Sequence, residues 1–216
     1  MENHQRTVTI NDLVIRLREP NQAGSHPVIL LLHGWTGDES AMWVFASRLP
    51  KDAMLLAPRG LYETPLGGYG WHPHNRGIWP WVDDFLPAIE TLKDLLNHDY
   101  FPAGDFTRLS MVGFSQGAAL SYAFIMRYPY LVKSVAGLSG FLPDGSEALA
   151  RNKPLKDKAV FLAHGTEDEL VPVSKARYAV EILNLAGAKV SYCEDEVGHR
   201  LSASCFKGLQ TFFSNE

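Results

Sequence analysis

The sequence predicts an α/β fold with a mostly parallel central sheet and helices on both faces. Short β-rich apolar runs recur between stretches of helical periodicity, the alternation that builds such a sheet. The runs are close to continuously hydrophobic, as strands covered on both faces must be. Only the N-terminal stretch departs from this, alternating apolar and polar residues as a half-exposed antiparallel strand does.

In chain order, "TVTINDLVIRL" (Thr7 to Leu17) reads as an antiparallel hairpin at the sheet edge, turning at Asn11-Asp12. The strands follow as His26 to Gly34, Ala53 to Pro58, Arg108 to Phe114, Ser134 to Gly140, Lys158 to Gly165 and Lys189 to Glu196. Helical spacing covers about 40–48, 83–97, 116–128, 173–186 and 203–214, with Pro87 and Pro172 near helix starts, where a missing N–H costs little. Arg59 to Trp81, "RGLYETPLGGYGWHPHNRGIWPW", stands apart as a long loop. Its richness in glycine, proline and aromatic residues argues for a functional loop rather than a disordered one.

A length of 216 residues fits one domain, 1–216, with a sizeable core, and no repeat or linker divides it. Hydrophobic residues at 46% exclude a disordered chain, and a formal charge of -4 without a clustered basic run argues against a nucleic-acid partner. The longest apolar run, "VILLL" (Val28 to Leu32), is far too short for a membrane span, and the N-terminus lacks the features of a signal peptide. Cys193 and Cys205 are too few and too unpatterned for a disulfide framework or a zinc site. A reducing, cytoplasmic setting is therefore expected. Oligomeric state is left open, a homodimer being one outcome.

The chemistry begins at "GFSQG". A serine hydroxyl is a weak nucleophile without a base beside it, and it must also be exposed. In a Gly-x-Ser-x-Gly turn the glycines let a strand and a helix approach closely, so that the serine projects from a strained corner. The string alone is weak evidence, but here apolar "LSMV" precedes it and "AALSYAFIMRY" follows at helical spacing. Ser115 is the candidate nucleophile. In this setting an acid and then a histidine follow in the chain. "TEDELVP" supplies Asp168, with Glu167 and Glu169 as alternatives, and "EDEVGHR" supplies His199, the sole histidine after Asp168.

An anionic tetrahedral intermediate also needs hydrogen-bond donors. The backbone N–H of Gln116, at a helix N-terminus, is one candidate; that of Trp35, in the "LLLHGWTGDE" loop after an early strand, is the other. Every piece falls at the carboxyl end of an expected strand, where open α/β sheets bind ligands. Tyr69 and Trp71 in the aromatic loop are candidates for the substrate wall, against the plainer reading that these rings only pack the loop onto the domain. His72 and His74 form a His-x-His pair without further ligand spacing, so no metal is expected.

Together "HGWTGDE", "GFSQGAA", "HGTEDELVP" and "GHR" resemble the phospholipase/carboxylesterase family of α/β-hydrolases, which includes acyl-protein thioesterases and small carboxylesterases. The likeness runs from about residue 28 to the C-terminus. It implies Ser115 as nucleophile, Asp168 as acid, His199 as base, and Trp35 with Gln116 as oxyanion donors. It also implies a serine carboxylesterase that needs no cofactor and takes a small-molecule ester. Departures are Trp35-Thr36 ahead of Gly37, Ala118 where a second glycine is usual, and Arg200 where an acidic residue is usual. With no insertion long enough for a large lid, short to medium acyl esters are expected. Thioester or lysophospholipid hydrolysis is the alternative, and a non-catalytic binding module on the same fold is the remote one.

Overall fold

The computed structural model describes residues 4–73 and 79–214. Strands β1 (His4–Ile10) and β2 (Leu13–Glu19) form the expected antiparallel hairpin. Asn11 and Asp12 both take positive φ, 47° and 65°, as a two-residue I′ turn requires. The chain continues through β3 (His26–Leu32), a 3₁₀ helix (Ala41–Arg48) and β4 (Met54–Pro58) to a small ladder of β5 (Tyr62–Glu63) with β6 (Tyr69–Gly70). A 3₁₀ turn (Val82–Phe85) leads into α1 (Leu86–Leu95), with Pro87 at its start. Then come β7 (Gly104–Phe114), α2 (Gln116–Arg127), β8 (Ser134–Leu138), α3 (Ser146–Ala150), β9 (Ala159–Gly165), α4 (Val173–Leu185), β10 (Lys189–Asp195) and α5 (Ala203–Ser214).

Eight of these strands form one sheet in the order β1-β2-β4-β3-β7-β8-β9-β10. The β1/β2 and β2/β4 pairs are antiparallel and the remaining pairs are parallel. The α/β-hydrolase fold expected from the sequence is thus the one observed. Going outward from β3 the chain steps one way to β4, and from β7 the other way to β8. The crevice for a ligand in such a sheet lies where the direction reverses, here between the carboxyl ends of β3 and β7.

Alternation within the strands explains burial on both faces. In β3, Leu30 and Leu32 join Met54, Leu56 and Met111 beneath α1, α2 and α4. Ile29 and Leu31 point the other way, into a second cluster with Val112, Ala136, Phe161 and the α5 residues Leu209 and Phe213. Both faces exclude water, so no residue of α2 from Gln116 to Met126 is exposed and the helix after the candidate nucleophile is a rigid platform. No helix among the described residues is long and apolar enough to cross a membrane.

Two expectations are corrected and one element is added. Residues 59–73 of the long loop are not structureless, because β5 and β6 form a hairpin that also docks on the loop after β3, where Tyr69 N–H donates to Gly37 O at 2.8 Å. The five-residue helix α3 was not anticipated, since one turn and a half is too short to show a period. Cys193 and Cys205 are joined in a disulfide. Twelve residues apart, they carry no spacing signature; the link arises because α5 folds back across β10, and it removes the ground for expecting a reducing compartment.

Candidate active site

Strand β7 passes into α2 through Ser115, whose backbone is held at φ 53° and ψ -116°. A non-glycine residue occupies that region only when its surroundings impose it. Here Ser115 N–H donates to Leu138 O on β8 at 2.8 Å, and Ser115 O accepts from Ala118 N and Ala119 N in the first turn of α2. The two glycines of "GFSQG" are spatial necessities: a Cβ on Gly113 would lie 2.2 Å from Gly117 O, and one on Gly117 would lie 2.0 Å from Leu32 O. The tight strand-to-helix corner read from the sequence is therefore present.

Asp168 follows β9, and its carboxylate is buried to 0% side-chain exposure. Oδ1 accepts the backbone N–H groups of Leu170 and Val171 at 2.9 and 2.8 Å, leaving Oδ2 to accept from His199 Nδ1 at 2.7 Å. Glu167 and Glu169 are exposed on either side, so only the middle residue of "EDE" meets the imidazole. His199 also rests edge-on against Phe114, with ring centroids 4.9 Å apart. With its hydrogen on Nδ1, the ring has its Nε2 lone pair available. Among the described residues no hydrogen bond joins Ser115 Oγ to His199, although both side chains line one cleft. Such bonds are often long before substrate binds.

His164, which the sequence did not single out, sits behind the acid. Its Nε2 is 2.8 Å from Val171 O and 3.4 Å from Asp168 Oδ2, and burial pushes its pKa down. A neutral ring then presents a hydrogen at Nε2, consistent with the orphaned Nδ1 that faces no partner. The His-Gly pair closing β9 was the available signal.

The loop after β3 brings Gly34, Trp35 and Thr36 to the same cleft. His33 anchors it from below: Gly60 N–H donates to Nε2 at 2.8 Å, so the ring hydrogen lies on Nδ1, which donates to Gly34 O at 2.7 Å. Burial lowers the His33 pKa, in keeping with a neutral ring. Glu39 on this loop forms a two-point ion pair with Arg59, at 2.7 and 3.0 Å, and the first effect of that bond is to lower the Glu39 pKa. Gln116, the second candidate donor, begins α2, where the first N–H groups have no partner within the helix.

The cleft holds about 720 Å³ and also touches Leu66, Trp79, Phe141 and Leu170. These walls come from loops following four different strands, which is why sequence reading missed them. It named Tyr69 and Trp71 instead, and both are corrected. Tyr69 stacks under the Arg59 guanidinium, 4.7 Å from its ring centre, and does not line the cleft. Trp71 is fully buried, its indole Nε1–H donating to His33 O and its backbone N–H to Gln116 Oε1, both at 2.8 Å. His72 does line the cleft, edge-on to Phe85. His74 lies outside the described residues. Among the described residues no three His, Cys, Asp or Glu side chains are grouped to hold a metal.

Residues 16–215 match the phospholipase/carboxylesterase family. Acyl-protein thioesterase 1 of Debaryomyces hansenii is 31% identical over 74% of this chain and 78% of its own length. Acyl-protein thioesterase 1 of Kluyveromyces lactis is 41% identical over 68% of this chain and 71% of its own. Among solved structures, a carboxylesterase from Mesorhizobium loti superposes with a TM-score of 0.80, covering 97% of this chain and 99% of that one at 19% identity, a likeness of fold.

Proposed function

Since the chain belongs to the phospholipase/carboxylesterase family and is a serine hydrolase of that family, we propose that it cleaves short- to medium-chain carboxylic esters through an acyl-enzyme on Ser115. The observation that carries this reading is the buried Asp168 carboxylate holding His199 Nδ1 at 2.7 Å, with Ser115 opening into the same cleft.

In the proposed cycle His199 Nε2 takes the proton of Ser115 Oγ as the oxygen attacks the ester carbonyl. Asp168 holds the tautomer that leaves Nε2 basic and stabilises the imidazolium, without itself taking the proton. The carbonyl oxygen becomes anionic against the N–H groups of Trp35 and Gln116, the latter at the positive end of α2. His199 then protonates the leaving alcohol, and water, activated by the same ring, releases the acid.

The lining of the cleft supports a largely apolar substrate. The described lining is mostly apolar and aromatic, with Leu66, Trp79, Phe114, Phe141, Leu170 and Val171 among its walls, a surface that suits the hydrocarbon part of a simple ester. Thioester cleavage is the second reading, supported by the relatives named acyl-protein thioesterase 1 at 31% and 41% identity. The deciding experiment crosses acyl chains of two to sixteen carbons with oxygen-ester and thioester leaving groups. Highest kcat/KM on short to medium oxygen esters is expected; a consistent preference for long-chain thioesters would replace the first reading with the second. Failure of a fluorophosphonate to label the folded wild type would instead favour a binding module.

A further inference from the structure

We propose that Trp71 is a positioning residue for the oxyanion hole, tying together the two chain segments that supply its donors. The inference rests on the acyl-transfer reading above. Two donors stabilise an oxyanion only if their separation and aim are set before the reaction. Here they come from different places, Trp35 after β3 and Gln116 at the start of α2, and a third segment joins them.

The joining is specific at both ends. The indole Nε1–H of Trp71 donates to His33 O, and its backbone N–H donates to the Gln116 side chain, each at 2.8 Å. The same indole lies against the His33 ring with centroids 4.9 Å apart. His33 passes the constraint forward, because its Nδ1–H and the N–H of Gly37 both donate to Gly34 O, at 2.7 and 3.1 Å. The carbonyl of Gly34 and the N–H of Trp35 are the two ends of one trans peptide group and point in opposite directions. Fixing the oxygen therefore aims the N–H.

A buried tryptophan can also serve simply as core, and the two roles predict different kinetics. Replacing Trp71 by its isostere 3-benzothienylalanine keeps the bulk and removes only the Nε1–H. With p-nitrophenyl butyrate, kcat of this variant is expected to fall about tenfold or more with KM little changed, since the lost interaction acts on the transition state. The inhibition constant of a trifluoromethyl ketone, whose serine adduct places an oxyanion in the hole, should rise by a similar factor. Trp71→Phe should show the same split on a larger scale, and the isostere keeps the test decisive if that variant folds poorly.

Wild-type kcat and ketone inhibition in the isostere would overturn the proposal, as would a loss confined to KM or to the melting temperature. Ser115→Ala, assayed alongside, separates the two levels. If it keeps the wild-type rate, the acyl-transfer reading falls and takes this inference with it. If it is inactive while the isostere behaves as wild type, only the role of Trp71 is wrong.

Discussion

At Ser115 the backbone is held where a β-carbon is unwelcome, at φ 53° and ψ -116°, and the surrounding strand and helix bear the cost of order 1–3 kcal/mol. Such strain is stored where geometry matters more than stability. Removing the hydroxyl in Ser115→Ala should lower p-nitrophenyl butyrate turnover by about 10⁴ or more; a variant that kept its rate would exclude Ser115 as nucleophile. The neighbouring acids give a finer test. Asp168→Asn replaces one acceptor of the His199 Nδ1–H by an amide and should cost about 10³–10⁴ in kcat. Glu167→Gln and Glu169→Gln, both exposed, should stay within about threefold of wild type. The opposite ranking would move the acid. At this scale much was legible, since serine, acid and histidine sit in recognisable turns in the required order. Asp168 was the first choice there, but Glu167 and Glu169 stayed open as alternatives, because local pattern does not say which of the three the β9 turn buries against Leu170 and Val171.

The elements that carry the site are loops clamped at both ends. The histidine loop leaves β10 and enters α5, and the Cys193–Cys205 disulfide closes the ring of chain that contains His199. A cross-link of this span removes unfolded-chain entropy worth about 3 kcal/mol. Replacing both cysteines by serine should therefore lower unfolding free energy by roughly that amount, read from urea denaturation. Equal stability of the double variant and the untreated wild type would mean that the bond makes no net contribution. The long helices and the buried strands were legible from periodicity and continuous apolar runs. Strand β7 began earlier than expected, at Gly104, because its half-exposed "DFTR" segment hides the apolar signal. The β5/β6 hairpin was hidden for a similar reason: two-residue strands have no period, and their pairing is set by docking on Gly37.

For the whole molecule, the sheet reversal between β3 and β7 gathers the loops that line one cleft, and it also buries two histidines around it. His33 and His164 are 1% and 2% exposed, and burial lowers the pKa of both. Each ring charges more readily in the unfolded chain, so below a pH of about 6.5 the unfolded state binds more protons and stability falls with acidification. The slope is at most about 1.4 kcal/mol per pH unit for each ring until its folded pKa is reached. The Arg177–Glu194 pair acts lower, since the Arg177 hydrogen bonds hold the Glu194 carboxyl at about 2. Its contribution is complete above the ordinary glutamate range near 4.5 and disappears only as pH falls through about 2. Urea midpoints should therefore decline between pH 7 and pH 5; a flat profile there would mean that the two histidines do not stay neutral in the fold.

The sequence by itself determined the fold class, the family and the short set of residues from which a nucleophile, an acid and a base could come. These follow from local pattern: apolar period, glycine at a tight turn, and chain order along a parallel sheet. Only the tertiary structure decided that the Asp168 carboxylate is buried against His199, that Trp71 is buried beneath the cleft and is not one of its walls, that Leu66, Phe141 and Leu170 line the cleft, and that the two cysteines meet. Each of those facts is a contact between segments distant in the chain, and burial and hydrogen bonding select such contacts after the strands have been ordered.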